Sequence, residues 1–136
     1  MVEDNFSFRY EHFNNTFPSS LSKLWFENSF VDVTLATADN KQINAHKVVL
    51  GSASPFFQDI LMKNPHTNPL IYLKDGKYAE LNLILKFIYL GQCQVNSSDL
   101  EAFLTCASDL KVSCIKEDNL EHLNKTEDSS QSIKNI

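Results

Sequence analysis

The sequence predicts an α+β domain in which helices dominate and a small sheet caps one side. Three observations point there. Two short alternating segments, residues 31–36 and 43–45, are joined by a polar turn at Asp39 and Asn40. Four stretches carry apolar residues at helical spacing. Only 3 glycines and 4 prolines in 136 residues leave little chain for loops.

Taken in order, Phe6, Phe8 and Tyr10 alternate with Ser7 and Arg9, which predicts an extra N-terminal strand with one apolar side. Phe17, Leu21, Leu24, Trp25 and Phe26 then recur at helical spacing, with Pro18 expected in the first turn, where its missing N–H costs nothing. Val31, Val33 and Leu35 alternate with Asp32, Thr34 and Ala36, and Ile43 with Ala45 forms the return strand of a hairpin. The run Val48, Val49, Leu50 leads to Ser52, Ala53 and Ser54, after which Pro55 opens a helix through Phe56, Phe57, Ile60 and Leu61. Asn64, Pro65 and Pro69 punctuate a loop before a third strand at residues 70–73. Residues 79–90 are apolar on more than one face, as suits a helix at the centre of a core, and Gly91 ends them. Ser98 with Glu101 has the spacing of a capping box ahead of a helix through Leu100, Phe103, Leu104, Ala107 and Leu110, with one further turn expected through Val112 and Ile115.

Composition narrows the function. A chain of this length buries roughly two-thirds of its unfolded surface and needs no metal or disulfide staple. Residues 1–116 are expected to form one domain and residues 117–136 an acidic, polar tail or linker, too poor in apolar residues to offset its own ordering entropy. No apolar run approaches a membrane span, and the first residues lack a secretory signal, so a soluble intracellular protein is expected. With 12 basic against 17 acidic residues and Arg9 the single arginine, no basic face exists for phosphates, so direct nucleic-acid contact is not expected. Cys93, Cys106 and Cys114 lack the close pairing of zinc sites and read as reduced thiols that pack as small apolar groups.

Catalytic chemistry is equally sparse. Ser52 and Ser54 lie near His46 in sequence, and Asp32 completes an imaginable triad, but no nucleophile elbow or glycine-rich loop accompanies them. Helix capping at Pro55 is the simpler role for both serines. His66, in a Pro- and Asn-rich loop, reads as a solvated side chain. Asp32 sits inside an apolar strand, so its carboxylate must reach solvent or a partner such as Lys47, and periodicity alone admits either.

The segments Phe30-Val31-Asp32-Val33-Thr34-Leu35, Ala45-His46-Lys47-Val48-Val49-Leu50 and Ser52-Ala53-Ser54-Pro55-Phe56-Phe57 resemble the core signature of the BTB/POZ domain. Leu85-Lys86-Phe87-Ile88-Tyr89-Leu90-Gly91 resembles its later helix-and-turn motif, and Phe103-Leu104, Ala107 and Leu110-Lys111-Val112 fit the helix that follows. These segments cover residues 6–116 in the family's order. Phe8-Arg9-Tyr10 resembles the Leu-Arg-Trp opening of the tramtrack-type subgroup, which stands at the N-termini of zinc-finger and other DNA-binding regulators. The stretch from Asn64-Pro65 through Pro69-Leu70-Ile71-Tyr72-Leu73-Lys74-Asp75 resembles that subgroup's loop and third strand. Gly76 departs from an apolar residue common there, and Gln92-Cys93-Gln94-Val95 stands where Glu-Val-x-Val is usual.

The resemblance implies a non-enzymatic BTB/POZ fold without cofactor, metal or small-molecule substrate. It implies a homodimer made by exchanging N-terminal elements, with Leu21, Leu24, Trp25, Phe26, Val31 and Val33 at the interface. A helix stripe with little local core needs such a cover, and roughly 1,500 Å² over both subunits is ordinary for a lasting dimer. Asp32 and Lys47 would form a charged pocket at that interface, and Phe6, Phe8, Arg9 and Tyr10 a strand for assembly beyond the dimer. The implied role is a homo-oligomerisation domain of a nuclear transcription or chromatin regulator, with itself, other BTB domains or corepressor peptides as partners. The other role found among BTB proteins is substrate adaptor of a cullin-type ubiquitin ligase. Leu61-Met62-Lys63-Asn64-Pro65 lacks the glutamate of the apolar-x-Glu motif that adaptors carry there.

Overall fold

Eight regular elements build the chain, whose computed structural model describes residues 3–112, 114 and 115. In order they are α1 (Phe13–Phe26), β1 (Val33–Ala36), β2 (Gln42–Ala45), α2 (Lys47–Ala53), α3 (Pro55–Lys63), β3 (Leu70–Tyr72), α4 (Tyr78–Leu90) and α5 (Leu100–Asp109), with a single 3-10 turn at Ser97–Asp99. The expected α+β class is what forms: helices cluster beneath a three-stranded sheet of order β2-β1-β3. The hairpin is antiparallel, with Val33 opposite Ala45 and Leu35 opposite Ile43. β3 runs parallel to β1, with Thr34 beside Leu70, because the helical pair α2–α3 returns the chain to the same end of the sheet. The expected tail at residues 117–136 lies outside the described residues.

The core is one cluster. Val33, Leu35, Leu50, Phe57, Leu81, Ile84 and Leu85 are almost completely buried, and α4 packs against α1, α2 and α5 around them. Of the two apolar stripes expected on α4, Leu81, Ile84 and Leu85 are buried with Ile88 half-buried, whereas on the second Leu83 and Phe87 are half-buried and Leu90 is exposed. Gly91 closes α4 in the left-handed region, φ 84°, where an L side chain is strained.

Four sequence expectations change. Phe6, Phe8 and Tyr10 form no strand, since a strand needs a neighbouring edge for its hydrogen bonds and they pair with none among the described residues. α1 begins at Phe13, with His12 as its cap, so Pro18 falls inside the helix rather than in its first turn. Tyr10 meets Phe13 edge-on and Phe13 stacks on Phe17, and these ring contacts hold the added first turn. The Ser98–Glu101 box does not form, because the 3-10 turn places Asp99 at the cap of α5 without a side-chain bond. Of the two serines, Ser54 caps α3 by accepting the Phe57 N–H at 3.1 Å, whereas Ser52 turns back to donate to the Val49 carbonyl of α2.

α2 has no side-chain cap of its own at His46. Asp32, one residue ahead of β1, supplies one: its Oδ1 accepts the Lys47 N–H at 2.7 Å. Asp39, in the hairpin turn, does the same for α4 by accepting the Tyr78 N–H at 3.1 Å. The two ends of one strand region thus place a carboxylate on the first N–H of two different helices, where the helix dipole also favours negative charge.

Replacing Asp32 with alanine orphans the Lys47 N–H and is expected to cost about 1–2 kcal/mol. The measurement is the urea midpoint at neutral pH with an unchanged slope. Asp32→Asn, whose amide oxygen accepts the same bond, is expected to keep most of the stability. Equal loss in both variants would place the effect on the charge rather than the bond.

Candidate functional site

The N-terminal half of α1 stands away from the core. Every residue from Phe13 to Ser20 is exposed, and the helix docks only through its last two turns. There Ser22 and Trp25 are buried and Leu21 and Leu24 half-buried. The Trp25 ring lies flat on Tyr89 at 4.7 Å, and its Nε1–H donates to the Asn44 carbonyl at 2.9 Å. The Ser22 hydroxyl reaches the Tyr89 carbonyl at 2.8 Å.

This placement divides the residues expected at an interface. Phe26 is exposed and Leu21, Leu24 and Val31 are half-buried, so these four present surface. Trp25 and Val33, at 8% and 1% exposure, do not: both complete the chain's own core, since Tyr89 gives the indole a stacking surface and β1 turns Val33 inward. Phe13 and Phe30, absent from that expectation, are exposed as well. Phe13 is in phase with Phe17 at a spacing of four and is legible once the helix start is known. Phe6, Phe8, Arg9 and Tyr10 all lie fully on the surface.

Asp32 and Lys47 meet, but not as an ion pair. The carboxylate holds the Lys47 backbone N–H, while the Lys47 ammonium turns the other way and donates to the His66 carbonyl. Among the described residues an ion pair joins Lys63 to Asp59 at 3.2 Å, on the open face of α3. Asp39 is held below the usual carboxylate range, chiefly by the Thr37 side chain, with desolvation opposing and the Tyr78 N–H adding to the lowering.

His46 is buried and fully bonded. Its Nε2 lies 2.8 Å from the Ser29 carbonyl, which can only accept, so that nitrogen carries the proton. Nδ1 then accepts from the Tyr89 hydroxyl at 2.6 Å, and the same hydroxyl oxygen accepts the His46 N–H at 3.0 Å. The imidazole therefore bonds to neither serine of the imagined triad; the Ser54 hydroxyl instead donates to the Leu110 carbonyl at 2.5 Å. Burial pushes the Tyr89 phenol up to about 12, with Asp32 adding to the rise and the His46 N–H opposing it. Burial likewise pushes the Cys106 thiol up to about 11, helped by Glu80 and Asp109, and raises Cys93 against the pull of Lys86.

The loop between α1 and β1 is strained. Asn28 and Phe30 both take left-handed backbone, φ 54° and 61°. Asparagine visits that region readily, whereas a phenylalanine there gives up roughly 1–2 kcal/mol.

The BTB/POZ domain family model matches residues 21–127. The chain belongs to the BTB/POZ family. Its fold is a protein-interaction fold, and known proteins agree on the assignment. Longitudinals lacking protein-like of Drosophila melanogaster is 39% identical over 115 residues, spanning 85% of this chain and 90% of that protein. Broad-complex core protein isoforms 1/2/3/4/5 and Protein tramtrack, alpha isoform, of the same organism are 34% and 32% identical over 86% and 88% of this BTB/POZ chain. The chain spans only 16% and 14% of those two proteins. Among solved structures, the BTB (Tramtrack and Bric a brac) domain of human Gigaxonin superimposes with a TM-score of 0.71, covering 99% of this chain and 100% of that one at 18% identity, a likeness of fold.

Because the folded state of this BTB/POZ domain holds the Tyr89 proton more tightly than an unfolded chain does, its contribution to stability is complete below pH 10 and drains away as pH rises through about 12. Tyr89→Phe is expected to remove that alkaline component, seen as a flatter stability profile from pH 10 to 12 than the parent shows. Cys106 is expected to react with iodoacetamide at pH 8 only as fast as the domain opens, so trapping accelerates in urea in step with unfolding.

Proposed function

We propose that this BTB/POZ domain is a self-association module that dimerises, assembles further through its N-terminal segment, and so multimerises a nuclear transcription or chromatin regulator. The supporting observation is the aromatic surface of its first thirty residues. Phe6, Phe8, Tyr10, Phe13, Phe17, Phe26 and Phe30 are each 46–96% exposed. At about 200 Å² per ring this is roughly 900 Å² of aromatic surface, half of it on Phe6, Phe8 and Tyr10 and half on Phe13, Phe17, Phe26 and Phe30. A monomer seldom leaves so much apolar area in water. A second copy is the natural cover, because it brings an equal unmet area and both are satisfied in one step.

Residues 5–10 keep the alternation of a strand yet pair with no strand among the described residues. Pairing between subunits supports growth beyond the dimer. The net charge of -5 and a single arginine favour protein partners over nucleic acid, so DNA contact belongs to other modules, whose weak binding the assembly strengthens through effective concentration. The similarity to tramtrack and Broad-complex supports the nuclear placement. Other BTB domains and corepressor peptides fit the same apolar surface.

Sedimentation equilibrium over a concentration series tests the reading. The parent chain is expected as a dimer or larger, and a single subunit at high micromolar concentration overturns it. Removal of residues 1–11, which spares the His12 cap, is expected to lower the mass to that of the dimer. The double change Phe13→Ser and Phe17→Ser, on helix positions already in water, is expected to weaken the dimer while leaving the thermal transition of the monomer within a few degrees of the parent.

A further inference from the structure

We infer that Phe30 is a pre-organised anchor of the contact between two copies of this chain, and that buried His46 is the residue that positions it. The inference rests on the self-association proposed above and names the part of the surface that sets its affinity.

Phe30 combines two features that rarely coincide. Its ring is 83% exposed, and its backbone sits at φ 61°, where phenylalanine has no intrinsic reason to be. An outlier of this kind persists only where its surroundings fix it. Here the peptide groups on both sides are fixed. Upstream, the Ser29 N–H donates to the Leu24 carbonyl at 2.8 Å, and the Ser29 carbonyl accepts the His46 Nε2–H at 2.8 Å. Downstream, the Asp32 N–H donates to the Ala45 carbonyl at 3.0 Å and the Asp32 carboxylate holds α2. The ring adds nothing to the core at this position, being 83% exposed while Val33 from the same segment is buried. The strain therefore holds an aromatic ring in water, ready-made for a partner, and rigid aromatic anchors are the side chains that dominate protein interfaces.

His46 is the link that can be altered without touching the surface. It lies behind the loop at 6% exposure, with its Nε2–H on Ser29 and its Nδ1 locked by the Tyr89 hydroxyl. The imidazole thus has one tautomer and one orientation, and the carbonyl that precedes Phe30 inherits both. The partner it serves is a second copy of this chain, because Phe13, Phe17, Phe26 and Phe30 leave about 470 Å² of aromatic surface on each copy, and two copies together, with the half-buried Leu21, Leu24 and Val31 added, approach the ~1,000 Å² in total that a specific interface needs.

The test measures the monomer–dimer dissociation constant of the full 136-residue chain by sedimentation equilibrium, alongside thermal melting at a concentration where the monomer dominates. Phe30→Gly and Phe30→Asn both accept left-handed backbone, so the monomer is expected to melt at or above the parent temperature while the dissociation constant rises about tenfold or more. A rise of less than about threefold in both variants overturns the anchor. His46→Gln keeps an amide N–H near the place of Nε2, and His46→Ala keeps none. The alanine variant is expected to dimerise at least about threefold more weakly than the glutamine variant in the presence of Phe30, and equally in the Phe30→Gly background. Losses that simply multiply in the double variants overturn the positioning role, since a general loosening of the fold would act whether or not the ring is present. A parent chain that never associates removes the self-association reading itself, whereas a parent that dimerises with a Phe30→Gly variant that dimerises equally removes this inference alone.

Discussion

One residue near the end of α4 ties the two halves of the molecule together. Tyr89 offers its ring to Trp25, its carbonyl to Ser22 and its hydroxyl to both the ring and the backbone of His46. The first two interactions seat α1, the third holds the junction of β2 and α2, and His46 passes the constraint on to the loop that follows α1. A buried phenol must find hydrogen-bond partners, and a buried imidazole must find two. Each satisfies the other here, with no buried side-chain polar atom among the described residues left unpartnered. Because α1 is held from one end by this hub, its other end is free to carry aromatic residues outward without loosening the core.

The two aspartates flanking β1 show how charge serves the same architecture. Asp32 lies next to apolar strand residues, a position that invites an electrostatic interpretation, yet the bond it makes is to a helix N–H. A capping bond is short and directional and contributes about 1 kcal/mol without burying a second charge. An Asp32–Lys47 ion pair would have to recover the desolvation of both groups from their attraction, which buried pairs often fail to do. The ammonium of Lys47 is consequently free to pin the loop at His66, beside the groove lined by Ile60, Leu61, Pro69 and Ile71.

Where sequence and structure agree, a strong local signal stands behind the agreement: alternation across residues 31–45, Pro55 after Ser54, and Gly91 after a run of apolar residues. Where they part, a distant residue has decided the matter. α2 begins with β-branched Val48 and Val49 and contains Gly51, a weak helix by propensity, and its cap comes from Asp32 fifteen positions upstream. The Ser98–Glu101 spacing fits a box, but the chain enters α5 through a 3-10 turn and never offers Ser98 the capping position. Trp25 reads as an interface residue from its place in an N-terminal helix, and its burial within the chain depends on Tyr89, far along the sequence. The family segments revealed the topology, and the exposed aromatic residues of the opening segment were visible as alternation and stripe. The left-handed backbone at Phe30 was not, because no sequence rule assigns phenylalanine there.

The long separation between α1 and its seat has a consequence for biosynthesis. The hairpin and the α2–α3 pair are local and can form as the chain leaves the ribosome, but β3 joins β1 only after the intervening helices are made, and the Trp25 ring meets Tyr89 later still. During that interval the Trp25 ring is outside the tunnel without the surface that later buries it. Late closure of that contact leaves Trp25 among the apolar groups that a holdase chaperone can shield.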